Sequence, residues 1–431
     1  MELQYLVILL VLLGAMAATV PVFMSLFYTA VAGFVLFTDF PLMMLAQTMF
    51  RSMDKFALVV VLFFVLCGNI MTAGTIVDKL VKVANVCVGW MPGGLGMAGV
   101  LACGLFGAIS GSTVATVVAI GGFMIPALLE QKYDEKYALG VMTTSPILGV
   151  VIPPSISMIL YSMVTSCSLE RLFMTGFVPG VFIMAAVCVY TYVVCRRGEQ
   201  VPTPVPSMSQ VLTVFREGFW SLMLPVIIFG GIFSGMFTAN EAAVVACVYA
   251  FFVEIFIHRD MTWPQVFKVT VNSAITSATL LIIVAGATSF GQYLTLESIP
   301  AKITEAVVSH IQQPWVFLMA INILLLVVGM FMDIISATLI LTPIFVPLLY
   351  EYNINILHFG LLMTVNLGIG YCTPPLGVSL YITGALADRN LIYVTRAVIP
   401  FLIIQIAILL ILTYWPDSVL FLPKLFYGSV D

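Results

Sequence analysis

The amino-acid sequence predicts an all-α, polytopic membrane protein made of two inverted-topology repeats, each with about five crossings and a re-entrant helical hairpin. Three observations carry this reading. Of 431 residues, 62% are hydrophobic and 8% are charged, whereas a soluble domain carries about a quarter charged residues. Glycine and proline landmarks recur at a fixed offset along the chain. An odd number of crossings in each half then inverts the second half relative to the first.

The elements of the first repeat, residues 1–195, are justified one by one. A spanning helix needs about 20 mostly apolar residues, and 3–20, 22–37, 56–73, 137–163 and 176–195 qualify. The start, Met1-Glu2-Leu3-Gln4, has no basic segment and no small-residue cleavage site follows, so the first span is expected to be retained. Residues 95–129 are too long for one span at about 1.5 Å per residue. They are interrupted by Gly104, Gly107, Ser110-Gly111-Ser112 and Gly121-Gly122, which fits two half-length helices doubling back.

Pro153-Pro154 returns as Pro374-Pro375, an offset of 221 residues. Gly149 maps in the same way onto Gly370, Pro126 onto Pro347, Glu130 onto Glu351, Thr143 onto Thr364 and Pro179 onto Pro400. The second repeat, 217–431, therefore carries its own hairpin at 315–350. The amphipathic stretch 40–55 maps onto 261–276, each just before an apolar span, where they read as interfacial arms or plain connectors. The polar, proline-rich segment 196–216 reads as the linker.

Cytoplasmic loops are enriched in Lys and Arg. With both termini outside, eleven of the sixteen basic residues fall on the cytoplasmic side: Lys79, Lys82, Lys132, Lys136, Arg196, Arg197, Arg216, Arg259, Lys268, Arg389 and Arg396. The net charge of −4 comes with no basic run, so nucleic acid is not expected as a partner. The eight cysteines form no C-x-x-C pair and read as apolar packing residues. His258, His310 and His358 sit at span ends without metal-ligand spacing, and no nucleophilic triad, P-loop or dinucleotide pattern occurs, so an enzyme is not predicted.

Gly- and Pro-interrupted spans at matching positions point to a transporter's midplane site. GAISGSTVAT (107–116) would form one hairpin tip and PILGVVIPPS (146–155) would break the next helix; GMFMDIISAT (329–338) and NLGIGYCTPPLG (366–377) are their counterparts. Proline removes a donor and frees an upstream carbonyl. Such carbonyls, with hydroxyls, can replace the water around a hard cation, while half-helix N-termini attract anions. Each Ser, Thr or Gly taken singly reads first as close helix packing; their shared registration with the proline breaks reverses this in favour of a site. Asp333, opposite Ser112 in the repeat, is an acid in an apolar segment, which marks a candidate for cation binding or gating, with a hydrogen-bonded structural aspartate as the alternative. Glu241 opens a helix and is assigned a structural role.

The segments GLFGAISGSTVATVVAIG, SPILGVVIPPS, LPVIIFGGIFSGMFTANEAAVVACVYA and GYCTPPLG together resemble the large membrane subunit of tripartite ATP-independent periplasmic (TRAP) transporters, the DctM/SiaM-like family, over nearly the whole chain. Ala239-Asn240-Glu241 departs from the family's more usual Pro-Thr-Glu. The resemblance implies elevator-type scaffold and transport domains and Na+-driven import of an organic anion, such as a C4-dicarboxylate, a sialic acid or another sugar acid, across the bacterial inner membrane. It implies two partners, a small four-span membrane subunit of the Q type and a periplasmic substrate-binding protein of the P type. Carried over by residue, one Na+ site would use Ser110, Ser112, Gly149, Ile152 and Pro153, and the other Gly329, Asp333, Gly370, Thr373 and Leu376. Substrate would meet Thr113, Pro154, Ser155, Ser336 and Pro375. A stand-alone Na+/carboxylate symporter of the wider ion-transporter superfamily is the alternative.

Overall fold

The computed structural model describes residues 2–18, 20–196, 198 and 204–428. The described chain is helical throughout. Its first half runs α1 (Glu2–Ala17), α2 (Val22–Phe37), α3 (Leu42–Met53), α4 (Ala57–Ala73), α5 (Ile76–Val88), α6 (Gly94–Ser110), α7 (Thr113–Glu130), α8 (135–151), α9 (Ile156–Thr165) and α10 (Leu169–Cys195). The second half runs α11 (Met208–Phe233), α12 (Ala239–His258), α13 (Trp263–Leu296), α14 (Ile299–His310), α15 (Pro314–Phe331), α16 (Ile334–Glu351), α17 (Ile356–Gly370), α18 (Val378–Ala387), α19 (Leu391–Tyr414) and α20 (Pro416–Tyr427). Among the described residues nine helices are long and apolar enough to cross a membrane, or ten when α3 and α4 are taken as one bent span.

Helix starts are set by side-chain caps, which satisfy the orphan N–H groups of a first turn. Asp134 Oδ1 accepts from Tyr137 N at 3.0 Å and Asn390 Oδ1 from Tyr393 N at 2.8 Å. Glu241 closes a capping box with Thr238, accepting its N–H at 2.8 Å, which is the structural role its position predicts.

Two departures from the sequence reading have plain causes. Helix α11 begins at Met208, inside the stretch read as linker, because Ser207 and Gln210 form a capping box there; residues 197 and 199–203 of that stretch lie outside the described residues. The 261–276 arm is not separate from its span. Asp54 and Lys55 interrupt the first-half counterpart, so α3 and α4 meet at 55°, whereas α13 has no breaker at that point and continues for 34 residues.

Contacts divide the helices into two groups. Helices α1–α4 pack with α12 and α13, and α5 with α11; α6 packs with α8 and α10, α8 with α19, α9 with α16, and α15 with α17. The groups meet along α5/α6, α4/α9 and α13/α16. Polar bonds buried in the second group tie the halves together: Thr143 Oγ1 donates to Thr383 Oγ1 at 3.0 Å and Gln405 Nε2 to the Thr144 carbonyl at 3.0 Å. The cysteines are all free thiols and mostly buried, with Cys87 exposed.

Candidate substrate and ion site

Between α6 and α7 the chain reverses within two residues. Gly111 takes the left-handed conformation at φ 62°, open to glycine at no steric cost, and Ser112 caps α7, its hydroxyl accepting from Ala115 N at 3.4 Å. The counterpart tip uses no glycine: Met332 and Asp333 are extended, and Asp333 Oδ2 accepts from Ser336 N at 2.8 Å to start α16.

Each tip is held against a broken helix. A Cβ on Gly107 would lie 2.6 Å from Gly149 Cα, and one on Gly370 would lie 2.6 Å from Gly329 Cα, so these backbones are in direct contact. Ile156 N donates to the Gly111 carbonyl at 3.4 Å across the first break, and Gly377 N to the Met330 carbonyl at 3.4 Å across the second. Both Pro153-Pro154 and Pro374-Pro375 bonds are cis.

The two tips open into one cavity of about 490 Å³. Ser110 to Ala115 line it from the first tip, Asp333 to Ile335 from the second, and Ile156 and Ser157 from α9. The opposite wall comes from the other group of helices: Asn69 and Thr72 of α4, Thr276 and Leu280 of α13. No Lys, Arg or His is among the described lining residues. The N-termini of α7, α9 and α16 all reach it, and each concentrates positive partial charge worth about 0.3–2 kcal/mol to a nearby anion.

The residues singled out in the sequence divide by location. Ser110, Ser112 and Gly149 cluster: Thr116 Oγ1 donates to the Ser112 carbonyl at 2.8 Å and lies 3.5 Å from Ser110 Oγ, and a Cβ on Gly149 would sit 2.9 Å from that same carbonyl oxygen. Ile152 packs its side chain between Gly180 of α10 and Gly104 of α6, and the Pro153 ring rests on Gly176 of α10. Pro154 touches Gly111 through its carbonyl. Ser155 is fully buried and caps α9, leaving its neighbour Ser157, 3.0 Å away, at the cavity.

In the second half Gly329, Gly370 and Asp333 gather at the tip, with Asp333 half-buried. Thr373 N already occupies the Gly370 carbonyl at 2.9 Å, and its hydroxyl donates back to Ile369 at 2.8 Å. Pro375 and Leu376 are exposed and outside the cavity lining. Thr113 and Ser336 are both buried with hydroxyls that find no partner, and Thr113 lines the cavity. A buried hydroxyl left unpaired costs about 1–3 kcal/mol, so these two are available to a ligand.

Sequence reasoning missed Asn69, Thr72, Thr116, Ser157, Thr276 and Tyr371. Asn69 Nδ2 donates to Ser273 Oγ at 2.9 Å, joining α4 to α13 beside the cavity. An intramembrane asparagine was the available signal.

Opposed hairpin tips and broken helices around a shared cavity in a helical membrane bundle define a membrane transporter. The sequence matches the family model for the tripartite ATP-independent periplasmic transporter, DctM component, over residues 7–418, and the chain belongs to that family. It is 38% identical to the C4-dicarboxylate TRAP transporter large permease protein DctM of Rhodobacter capsulatus, over 97% of this chain and 99% of that one. It is 34% identical to the sialic acid TRAP transporter large permease protein SiaM of Vibrio cholerae, over 96% and 97%. The solved YdaH transporter of Alcanivorax borkumensis shares the fold, with a TM-score of 0.65 at 13% identity over 87% of this chain and 88% of that one. The chain is thus a TRAP large permease, a multi-pass protein of the bacterial inner membrane and not an enzyme.

Proposed function

We propose that this chain is the transporting subunit of a binding-protein-dependent importer that uses a Na+ gradient to carry an organic anion inward. The observation that carries the reading is the cavity: both tips line it, three helix N-termini reach it, and its only described lining carboxylate is Asp333. The N-termini of α7 and α9, which bear no acidic cap, suit the substrate carboxylate, with Thr113 and Ser157 hydroxyls beside them. The N-terminus of α16 already holds Asp333, which offsets its dipole and suits a cation instead.

Na+ travels here as cargo. The first tip fits it because the Ser112 carbonyl and the Ser110 and Thr116 hydroxyls converge where Gly149 contributes no side chain. Oxygen donors alone are the set a hard cation prefers. Filling both tips orders their backbones and so prepares the anion site between them. The two packed groups of helices suggest scaffold and transport parts, with the cavity at their boundary and the two repeats contributing one tip each.

Substrates fall in the range named for the relatives, C4-dicarboxylate, sialic acid and diketogulonate. A small Q-type subunit and a periplasmic binding protein complete the system. In support, the relative named DctMQ in Oleidesulfovibrio alaskensis is matched by 93% of this chain but over 64% of its own length, leaving room for a fused second subunit. The test is uptake of radiolabelled dicarboxylates and sugar acids into proteoliposomes bearing this chain and its small subunit, with and without Na+ and binding protein. Uptake that needs all of them supports the proposal. Uptake by this chain alone places it with the stand-alone symporters, and uptake indifferent to Na+ removes the coupling.

A further inference from the structure

At the end of α12 the backbone widens into a π-helical turn over Val253–His258, and Arg259 then takes the left-handed conformation at φ 60°. That reversal brings Asp260 back beneath the helix, its N–H donating to the Glu254 carbonyl at 3.1 Å. Glu254 and His258, four residues apart, share a face, with His258 Nδ1 at 3.5 Å from Glu254 Oε2. One ligand atom from each of Glu254, His258 and Asp260 lies within 4.8 Å of the other two.

The corner between α4 and α5 encloses this group from the other half of the chain. Gly74 leaves the room, since a Cβ there would collide with the Glu254 carboxylate. Glu254 Oε1 accepts from Ile76 N at 2.9 Å, and Thr75 Oγ1 donates to Asp260 Oδ2 at 2.6 Å while lying 3.4 Å from His258 Nδ1. Capping α5 therefore uses one oxygen of Glu254 only. Its Oε2 has no hydrogen-bond partner although the side chain is 0% exposed, and His258 Nε2 is likewise unpartnered in a side chain 2% exposed.

We propose that Glu254, His258 and Asp260 bind a divalent transition-metal cation, with Zn2+ the best fit, clamping the α4–α5 corner to α12. An imidazole with two carboxylates is a donor set suited to such ions. Tetrahedral coordination at about 2.1 Å sets ligand atoms roughly 3.4 Å apart. The Glu254–His258 pair, at 3.5 Å, already stands at that separation. Asp260, exposed and next to the left-handed turn, is the arm that closes the remaining gap. Water or the Thr75 hydroxyl takes the fourth position. None of the three ligands lines the transport cavity, so the site acts on the rigidity of the surrounding helices and not on the cargo.

The test uses the purified full chain, stripped with chelator and titrated with Zn2+, reading bound metal, thermal unfolding and X-ray absorption. The expected result is one equivalent of Zn2+ ligated by nitrogen and oxygen, with a rise in Tm of several degrees. H258Q and D260N should keep the Tm of the stripped protein and lose the Zn2+-induced rise, because neither residue caps α5. Both variants retain all eight cysteines, so binding that survives in them, or a sulfur-ligated spectrum, would overturn the assignment. So would no bound metal at micromolar Zn2+, or an equal response to Mg2+.

Discussion

Replacing Asp333 by Asn separates its two possible roles, because the change is nearly isosteric and removes only the charge. As a helix cap the two residues are about equivalent, and the 2.8 Å bond from Ser336 N to Oδ2 can be kept by the amide oxygen. Folding stability should therefore shift by no more than a few tenths of a kcal/mol. As a cation ligand the two differ by the worth of a charged over a neutral partner, about 1–1.5 kcal/mol, which is a factor of roughly 5 to 13 in Na+ affinity. The assay is uptake into proteoliposomes at fixed substrate over a Na+ series, with thermal unfolding measured in parallel. The expected outcome is a half-saturating Na+ concentration raised by that factor with Tm held. A Tm drop without any change in Na+ dependence would refute the ion role and leave Asp333 as a cap. Asp333→Ala, which also removes the cap, should lose about 1 kcal/mol of stability in addition.

Three further changes probe the rest of the cavity and its support. Gly149→Ala puts a Cβ 2.9 Å from the Ser112 carbonyl and 2.7 Å from Thr116 Oγ1; overpacking of this kind costs about 1–3 kcal/mol, so Na+-dependent uptake should fall steeply while substrate capture by the binding protein is untouched. Asn69→Ala breaks the bond to Ser273 at the cavity wall, and uptake should show a raised KM with thermal stability within about 1.5 kcal/mol of the parent. Asn366→Leu strands the buried Asn322 Oδ1, which accepts from Asn366 Nδ2 at 2.7 Å; calorimetry should show about 1–3 kcal/mol of destabilisation, and Asn322→Leu in the same chain should recover part of it.

The helix breaks within 95–129 and 315–350 were legible because both breakers and apolar length were present in the sequence. The expected 95–129 became α6 and α7 meeting at Gly111 and Ser112, and 315–350 became α15 and α16 meeting at Met332 and Asp333. Less legible were α5 and α14, which are short and amphipathic and carry no spanning signal. The cavity's second wall was hidden for a different reason. Asn69, Thr72 and Thr276 belong to helices far in sequence from the tips, and only the packing of α4 and α13 brings them there. Equally, Pro153 and Leu376 both lie at the proline breaks in the sequence, yet packing turns the ring of one towards α10 and exposes the side chain of the other.

The absence of Lys, Arg and His from the described cavity lining has an electrical consequence. Partial charges of helix ends stay in place relative to the cargo and cancel no whole unit of it. The loaded step then moves the summed valences of the passengers together with any charge on Asp333, the empty return moves Asp333 alone, and the whole cycle carries only the passengers' charge. A dianion entering with two Na+ would be silent to membrane voltage, and each additional Na+ would add one elementary charge, worth about 2.3 kcal/mol per 100 mV.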